Sequence, residues 1–96
     1  MITPSLPPEL ARLRDEIEKL DRALVDLIAD RVRLAREVGV AKQAAGIPTL
    51  DHVREDAVVR RAVVMAREAG LPYDDEIRQI FWQLIGLSRR VQGGDT

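Results

Sequence analysis

Residues 10–45 read LARLRDEIEKLDRALVDLIADRVRLAREVGVAKQAA, and this stretch decides the fold. Leu10, Leu13, Ile17, Leu20, Leu24 and Leu27, then Leu34, Val38 and Ala41, recur at steps of three and four. That is the seam of a heptad-patterned helix. Pro7-Pro8 opens it, and Gly46 with Pro48 ends it near Ala45. At 1.5 Å per residue, roughly 36 residues make a rod of about 54 Å, nearly twice the diameter of a small domain. A second helix begins near Thr49 or Asp51, either a competent N-cap, and stops at Gly70-Leu71-Pro72. A third follows Asp74-Asp75, a good acidic start, and runs to about Gln92 before Gly93-Gly94. These two helices reach only about 27 Å each, so they cover one side of the rod. A second copy of the chain laid along the bare side is the simplest remedy. The expected architecture is all-α, three helices per chain with a long first helix, assembled as a helical homodimer.

Composition bounds the rest. The chain has 96 residues, one domain's worth, and its helical core spans about residues 10–92. Hydrophobic residues make up 46%, carried by Ala, Val, Leu and Ile, and only Tyr73, Phe81 and Trp82 are aromatic. Charged residues make up 32% and the net charge is -1, which gives no overall field for nucleic acid or an anionic membrane. There is no Cys, and His52 is the single histidine, so neither a disulfide framework nor a dedicated metal site is expected. Met1 to Leu10 holds three prolines, no basic cluster and no apolar h-region. Neither a secretory signal nor a membrane span is expected, and a cytoplasmic location is the default.

The informative feature is where polar groups interrupt apolar stripes. On helix 1 the step of four after Leu27 lands on Arg31, and the step after Val38 lands on Lys42. These two lie 11 residues apart, three turns, and share a face; Arg14 lies beside the same seam. On helix 2, Asp51, Arg54, Glu55 and Val58 form one stripe that continues through Ala62, Met65 and Ala69. On helix 3 the stripe Ile77, Phe81, Leu84 runs into Ser88 and Gln92. Each has a plainer reading when taken singly. Arg31 can snorkel to solvent or set register, and Lys42 can serve as a C-terminal cation. Asp51, Arg54 and Glu55 can form an ordinary first turn, and Ser88 and Gln92 can belong to a fraying end. Together they are harder to dismiss, because burying an unpaired cation costs several kcal/mol. Four cations (Arg14, Arg31, Lys42, Arg54) against two carboxylates (Asp51, Glu55) suit a small polyanion, most naturally a dicarboxylate gripped bidentately by Arg. The residues alone support an anion-binding helical bundle.

In order along the chain stand Leu13-Arg14-Asp15-Glu16-Ile17 with Leu20-Asp21, Leu27-Ile28-Ala29-Asp30-Arg31, Val38-Gly39-Val40-Ala41-Lys42, then Pro48, Asp51, Arg54 and Glu55, and finally Ser88 and Gln92. This series resembles the all-helical (AroQ-class) chorismate mutases, with motifs of the form LRxxIxxLD, LLxxR, VGxxK, PxxDxxRE and SxxxQ. The resemblance spans about residues 10 to 92. It implies an intertwined homodimer in which each active site is completed by the neighbour's long helix. It also implies a Claisen rearrangement of chorismate to prephenate on the shikimate pathway to phenylalanine and tyrosine, without metal or cofactor. By the same resemblance, Arg14 reaches across into the partner's site to bind one carboxylate. Arg31 grips the other, with Arg54 and Ser88 beside it. Lys42 and Gln92 address the ether oxygen, and Glu55 with the Asp51 region holds the ring hydroxyl.

Some short members of that family are activated by docking onto another shikimate-pathway enzyme, a partner class that the resemblance opens for this chain. Nucleic acid and membranes are not expected partners. The nearest enzymatic rival is isochorismate pyruvate lyase, which shares the fold and the Arg and Lys positions; the full Asp51, Arg54, Glu55 set favours the mutase. A non-catalytic helical dimer acting as a regulatory module is the rival of another class, and it predicts disposable cationic positions. Arg89 and Arg90 belong to no motif of the series, and a surface location is expected for both.

Overall fold

Prolines and glycines punctuate the chain where the backbone needs them. The computed structural model describes residues 6–93, and every regular element among them is helical. Helix α1 runs Pro8–Ala45, α2 His52–Glu68 and α3 Asp74–Gln92. Pro8 sits at the first helical position, where its missing N–H costs nothing. At the other end of α1, Gly46 takes φ 68°, and Ile47 N–H donates to the Lys42 carbonyl at 2.9 Å. This left-handed stop closes the helix and turns the chain back. Of the two candidate caps for α2, Asp51 is the one used: its Oδ1 accepts the Arg54 backbone N–H at 3.0 Å. A second stop of the same kind ends α2, with Gly70 at φ 81° and Leu71 N–H on the Ala66 carbonyl at 2.8 Å.

Helix α3 starts at Asp74, earlier than the sequence reading placed it. Asp74, Asp75 and Glu76 all lie in its first turn, where negative charge meets the unpaired N–H groups. Asp74 accepts from the Arg67 Nε at 3.2 Å, which ties the two ends of the α2–α3 turn.

The chain divides into two compact units, residues 1–30 and 31–96. In the first, no described residue is buried. Leu10, Leu13, Ile17, Leu20, Leu24 and Leu27 are all exposed, Leu20 at 69%. In the second, α2 and α3 pack on one another, and the core is built from short side chains: Ala35, Val59, Ala62, Val63, Ala66, Ile85 and Val91. On α2 the buried stripe is Val59, Ala62, Val63 and Ala66, a fraction of a turn from the expected Val58, Ala62, Met65 and Ala69. Met65 is 48% exposed. Residues 57–66 are apolar at both sets of positions, so helical periodicity alone does not choose between them. The shorter Val and Ala side chains went inward. Within α1 the buried positions are Ala35 and Gly39, while the seam residues Leu34 and Val38 remain exposed in the single chain.

Candidate functional site

Two cations of α1 meet two neutral polar groups of α3. Arg31 Nη1 donates to the Ser88 hydroxyl at 2.5 Å and to the Leu84 carbonyl at 3.2 Å. Lys42 Nζ donates to Gln92 Oε1 and to the Thr49 carbonyl, both at 2.8 Å. About 16 Å of helix separates Arg31 from Lys42, yet Ser88 and Gln92 stand about 6 Å apart on α3. The two long side chains therefore converge. Partial burial pushes the Arg31 guanidinium below its ordinary value; an arginine starts so high that it stays charged.

Backbone geometry makes the Lys42–Gln92 contact. Gly39 lies one turn before Lys42, and a Cβ placed there would stand 2.7 Å from the Gln92 carbonyl oxygen and 2.8 Å from its Cα. Only a residue without a side chain lets α1 and the end of α3 approach this closely. The Gly46 turn then delivers the Thr49 carbonyl to the same ammonium. Because a lysine only donates, Gln92 must turn its oxygen toward Nζ, and its NH2 group is left facing elsewhere as a donor.

The acidic side of the site comes from α2. Glu55 is held in a fork by Arg89 of α3, with Nε to Oε2 at 2.7 Å and Nη2 to Oε1 at 2.5 Å. His52 Nδ1 stands 3.5 Å from the same Oε1. The Arg89 hydrogen bonds hold the Glu55 carboxyl below its ordinary range, outweighing the opposing effect of its burial. Its side chain is only 12% exposed. Glu55 is thus an ionised acceptor.

Arg31, Lys42, Asp51, Arg54, Glu55, Ser88 and Gln92 all line one hollow of about 370 Å³, together with Arg61 and Arg89. A space of this size suits a small organic ligand. Five cations (Arg31, Lys42, Arg54, Arg61, Arg89) face two carboxylates, so the hollow is electropositive in a protein of net charge -1. Seven of the eight site residues expected from sequence are brought together here. The eighth, Arg14, is an exposed residue of the N-terminal unit and is not among those that line the hollow. No described side-chain N or O atom is buried without a partner, and no cluster of His, Cys, Asp and Glu among the described residues could hold a metal ion.

Three contributors escaped the sequence reading. Arg89 lies beyond any local spacing from Glu55, so nothing along the chain pairs them. It lies on the surface as expected, with its side chain 43% exposed, and its guanidinium is committed to Glu55. The Thr49 carbonyl is a backbone group and carries no sequence signal. Arg61 was legible: it stands seven residues after Arg54, on the same face of α2.

The chain is similar to known proteins. It is 37% identical over 75 residues to the T-protein of Enterobacter agglomerans, covering 75% of this chain but 20% of that protein. The chain thus spans about a fifth of the length of the T-protein it matches. It is 32% identical over 84 residues to the chorismate mutase of Methanocaldococcus jannaschii, covering 88% of this chain and 84% of that one. A conserved hypothetical protein from Pyrococcus furiosus has a solved structure that superposes with a TM-score of 0.74 at 31% identity, covering 91% of this chain and 99% of that one. The family model of chorismate mutase type II matches residues 13–93, the span that carries α2, α3 and nearly all of α1. On that match, and on the largely shared length with the Methanocaldococcus protein, the chain belongs to the chorismate mutase type II family.

Proposed function

We propose that this chain is a chorismate mutase, an isomerase that converts chorismate to prephenate by a Claisen rearrangement in phenylalanine and tyrosine biosynthesis. One observation carries the reading most directly: Lys42 and Gln92 are locked together by a 2.8 Å hydrogen bond at the edge of an electropositive hollow. The ammonium has three N–H groups, of which two are engaged, and the Gln92 amide has two of its own. Both therefore keep donors to offer from neighbouring points, and such a pair suits a single oxygen that gains negative charge.

In the rearrangement the ether C–O bond breaks while a C–C bond forms between the enolpyruvyl arm and the ring. No proton, nucleophile or electron carrier is needed, so the protein's contribution is to hold the arm over the ring and to stabilise the ether oxygen. Arg31 grips a carboxylate, with Arg54 and the Ser88 hydroxyl beside it. Glu55 and the Asp51 region receive the ring hydroxyl.

The second carboxylate falls to Arg14 of a neighbouring copy. The exposed seam from Leu10 to Leu27 supports a homodimer, since burying one such Leu is worth about 1.5–3 kcal/mol. In this assembly the chain acts as one mutase domain, located in the cytoplasm.

The test is to mix purified protein with chorismate and follow the loss of its ultraviolet absorbance while prephenate accumulates. Unchanged absorbance would remove the reading. A parallel incubation with isochorismate separates the lyase: release of pyruvate from isochorismate, with chorismate untouched, would replace the mutase with that activity.

A further inference from the structure

Glu55 is a long side chain with three rotatable bonds, and a carboxylate that must meet one hydroxyl gains from being fixed in advance. Arg89 performs that fixing across the α2–α3 contact, with one N–H on each carboxylate oxygen, at 2.7 and 2.5 Å. We infer that Arg89 is a positioning residue, whose fork sets the plane of the Glu55 carboxylate so that its remaining lone pairs face the ring hydroxyl of the substrate. The inference rests on the mutase reading above. An ionised carboxylate offers about four lone-pair directions, and the fork occupies two. What remains on Glu55, which lines the hollow, is an acceptor in a plane that the bidentate geometry defines.

Charge and geometry act together at this position. The other charged or titratable groups around the hollow are Arg31 and Lys42 from α1, and Asp51, Arg54 and Arg61 from α2; His52 stands beside Glu55 on its own helix. Of all these, Arg89 makes the largest contribution to keeping Glu55 ionised, and His52 adds a smaller one in the same direction. Loss of the Arg89 charge moves the acid side of the rate profile to higher pH, because Glu55 then takes up a proton more readily. A substitution that keeps the charge and loses the fork separates the two roles. If charge is all that matters, Arg89→Lys restores kcat/KM in full, which would overturn the inference, whereas positioning leaves it restored only in part.

The experiment compares Arg89→Gln, Arg89→Lys, Glu55→Gln and the double variant in conversion of chorismate, across about pH 4 to 9. Arg89→Gln is expected to lower kcat/KM about 10-fold to 100-fold, the size of loss that follows misplacement of a contact group by about 1 Å. The acid limb of its profile moves to higher pH. Arg89→Lys, which keeps the charge but not the fork, restores the position of the acid limb and only part of kcat/KM. In the Glu55→Gln background, Arg89→Gln adds no further loss. Should Arg89→Gln lose its helical circular dichroism, Arg89→Lys carries the test on the same readouts. Wild-type kcat/KM with an unmoved acid limb, or losses that multiply in the double variant, would overturn the inference. Inactive wild-type protein would instead overturn the mutase reading, so the two failures are told apart.

Discussion

Residues 6–30 contain no buried side chain, and six large aliphatic residues lie open along one helix face. Residues 31–93 bury a core of Ala, Val and Ile, and they direct Arg31, Lys42, Ser88 and Gln92 into mutual contact. The first unit is apolar where a lone chain meets water; the second is polar where it is partly enclosed. The contrast teaches that the two stretches answer to different partners. An open seam of Leu and Ile is complementary to another such seam, whereas a hollow with surplus cations is complementary to an anion.

The largest expected effect sits in the hollow. Lys42→Ala removes a charged donor from the Gln92 pair and should lower kcat/KM about a thousandfold or more, while helicity and assembly stay intact. Wild-type-like kinetics in that variant would erase the distinction between the two regions.

The seam is next. With a second copy covering it, the unfolding midpoint of the unaltered chain should rise with protein concentration, and Leu24→Ala should cost about 2–5 kcal/mol in chemical denaturation. A change within about 0.5 kcal/mol would mark it as a solvent face.

Gly39→Ala sharpens the comparison from the side of packing. Its Cβ would press on the Gln92 backbone, so Lys42 and Gln92 should separate and turnover fall about 10-fold to 100-fold with little change in the seam-dependent assembly. An unchanged rate would show that the close approach is incidental.

The smallest effect concerns Asp51. Asp51→Ala should lower stability by about 1 kcal/mol through the lost cap, and Asp51→Asn should restore the cap. Comparing turnover in these two variants then isolates what the Asp51 charge contributes to the hollow.

Much of this was legible in the sequence for identifiable reasons. Pro8, Gly46, Gly70 and Asp51 each impose a local backbone condition, so the helix limits follow from short-range chemistry. Arg31 and Lys42 were legible because charge at a seam position contradicts its surroundings. The side of α2 that faces inward was not, since Val58 and Val59, like Ala62 and Val63, satisfy either rotation of the helix. Arg89 was hidden for a related reason: its meaning depends on Glu55, 34 residues away, and on the relative rotation of two helices. Periodicity describes one helix at a time and carries no information about such a pairing. Thr49 contributes through its carbonyl, which every residue possesses, and only the Gly46 turn gives that oxygen a task.

Lys42 to Gln92, Arg31 to Ser88 and Arg89 to Glu55 each join residues on different helices. The site therefore shares three of its polar contacts with the packing of residues 31–93, beside the core of Ala, Val and Ile. A dianion that engages these cations is linked to folding, and at a hundred times its dissociation constant it adds about 2.7 kcal/mol to stability. Ligand-induced protection against heat or protease would then report occupancy of the hollow even in a variant too slow to assay.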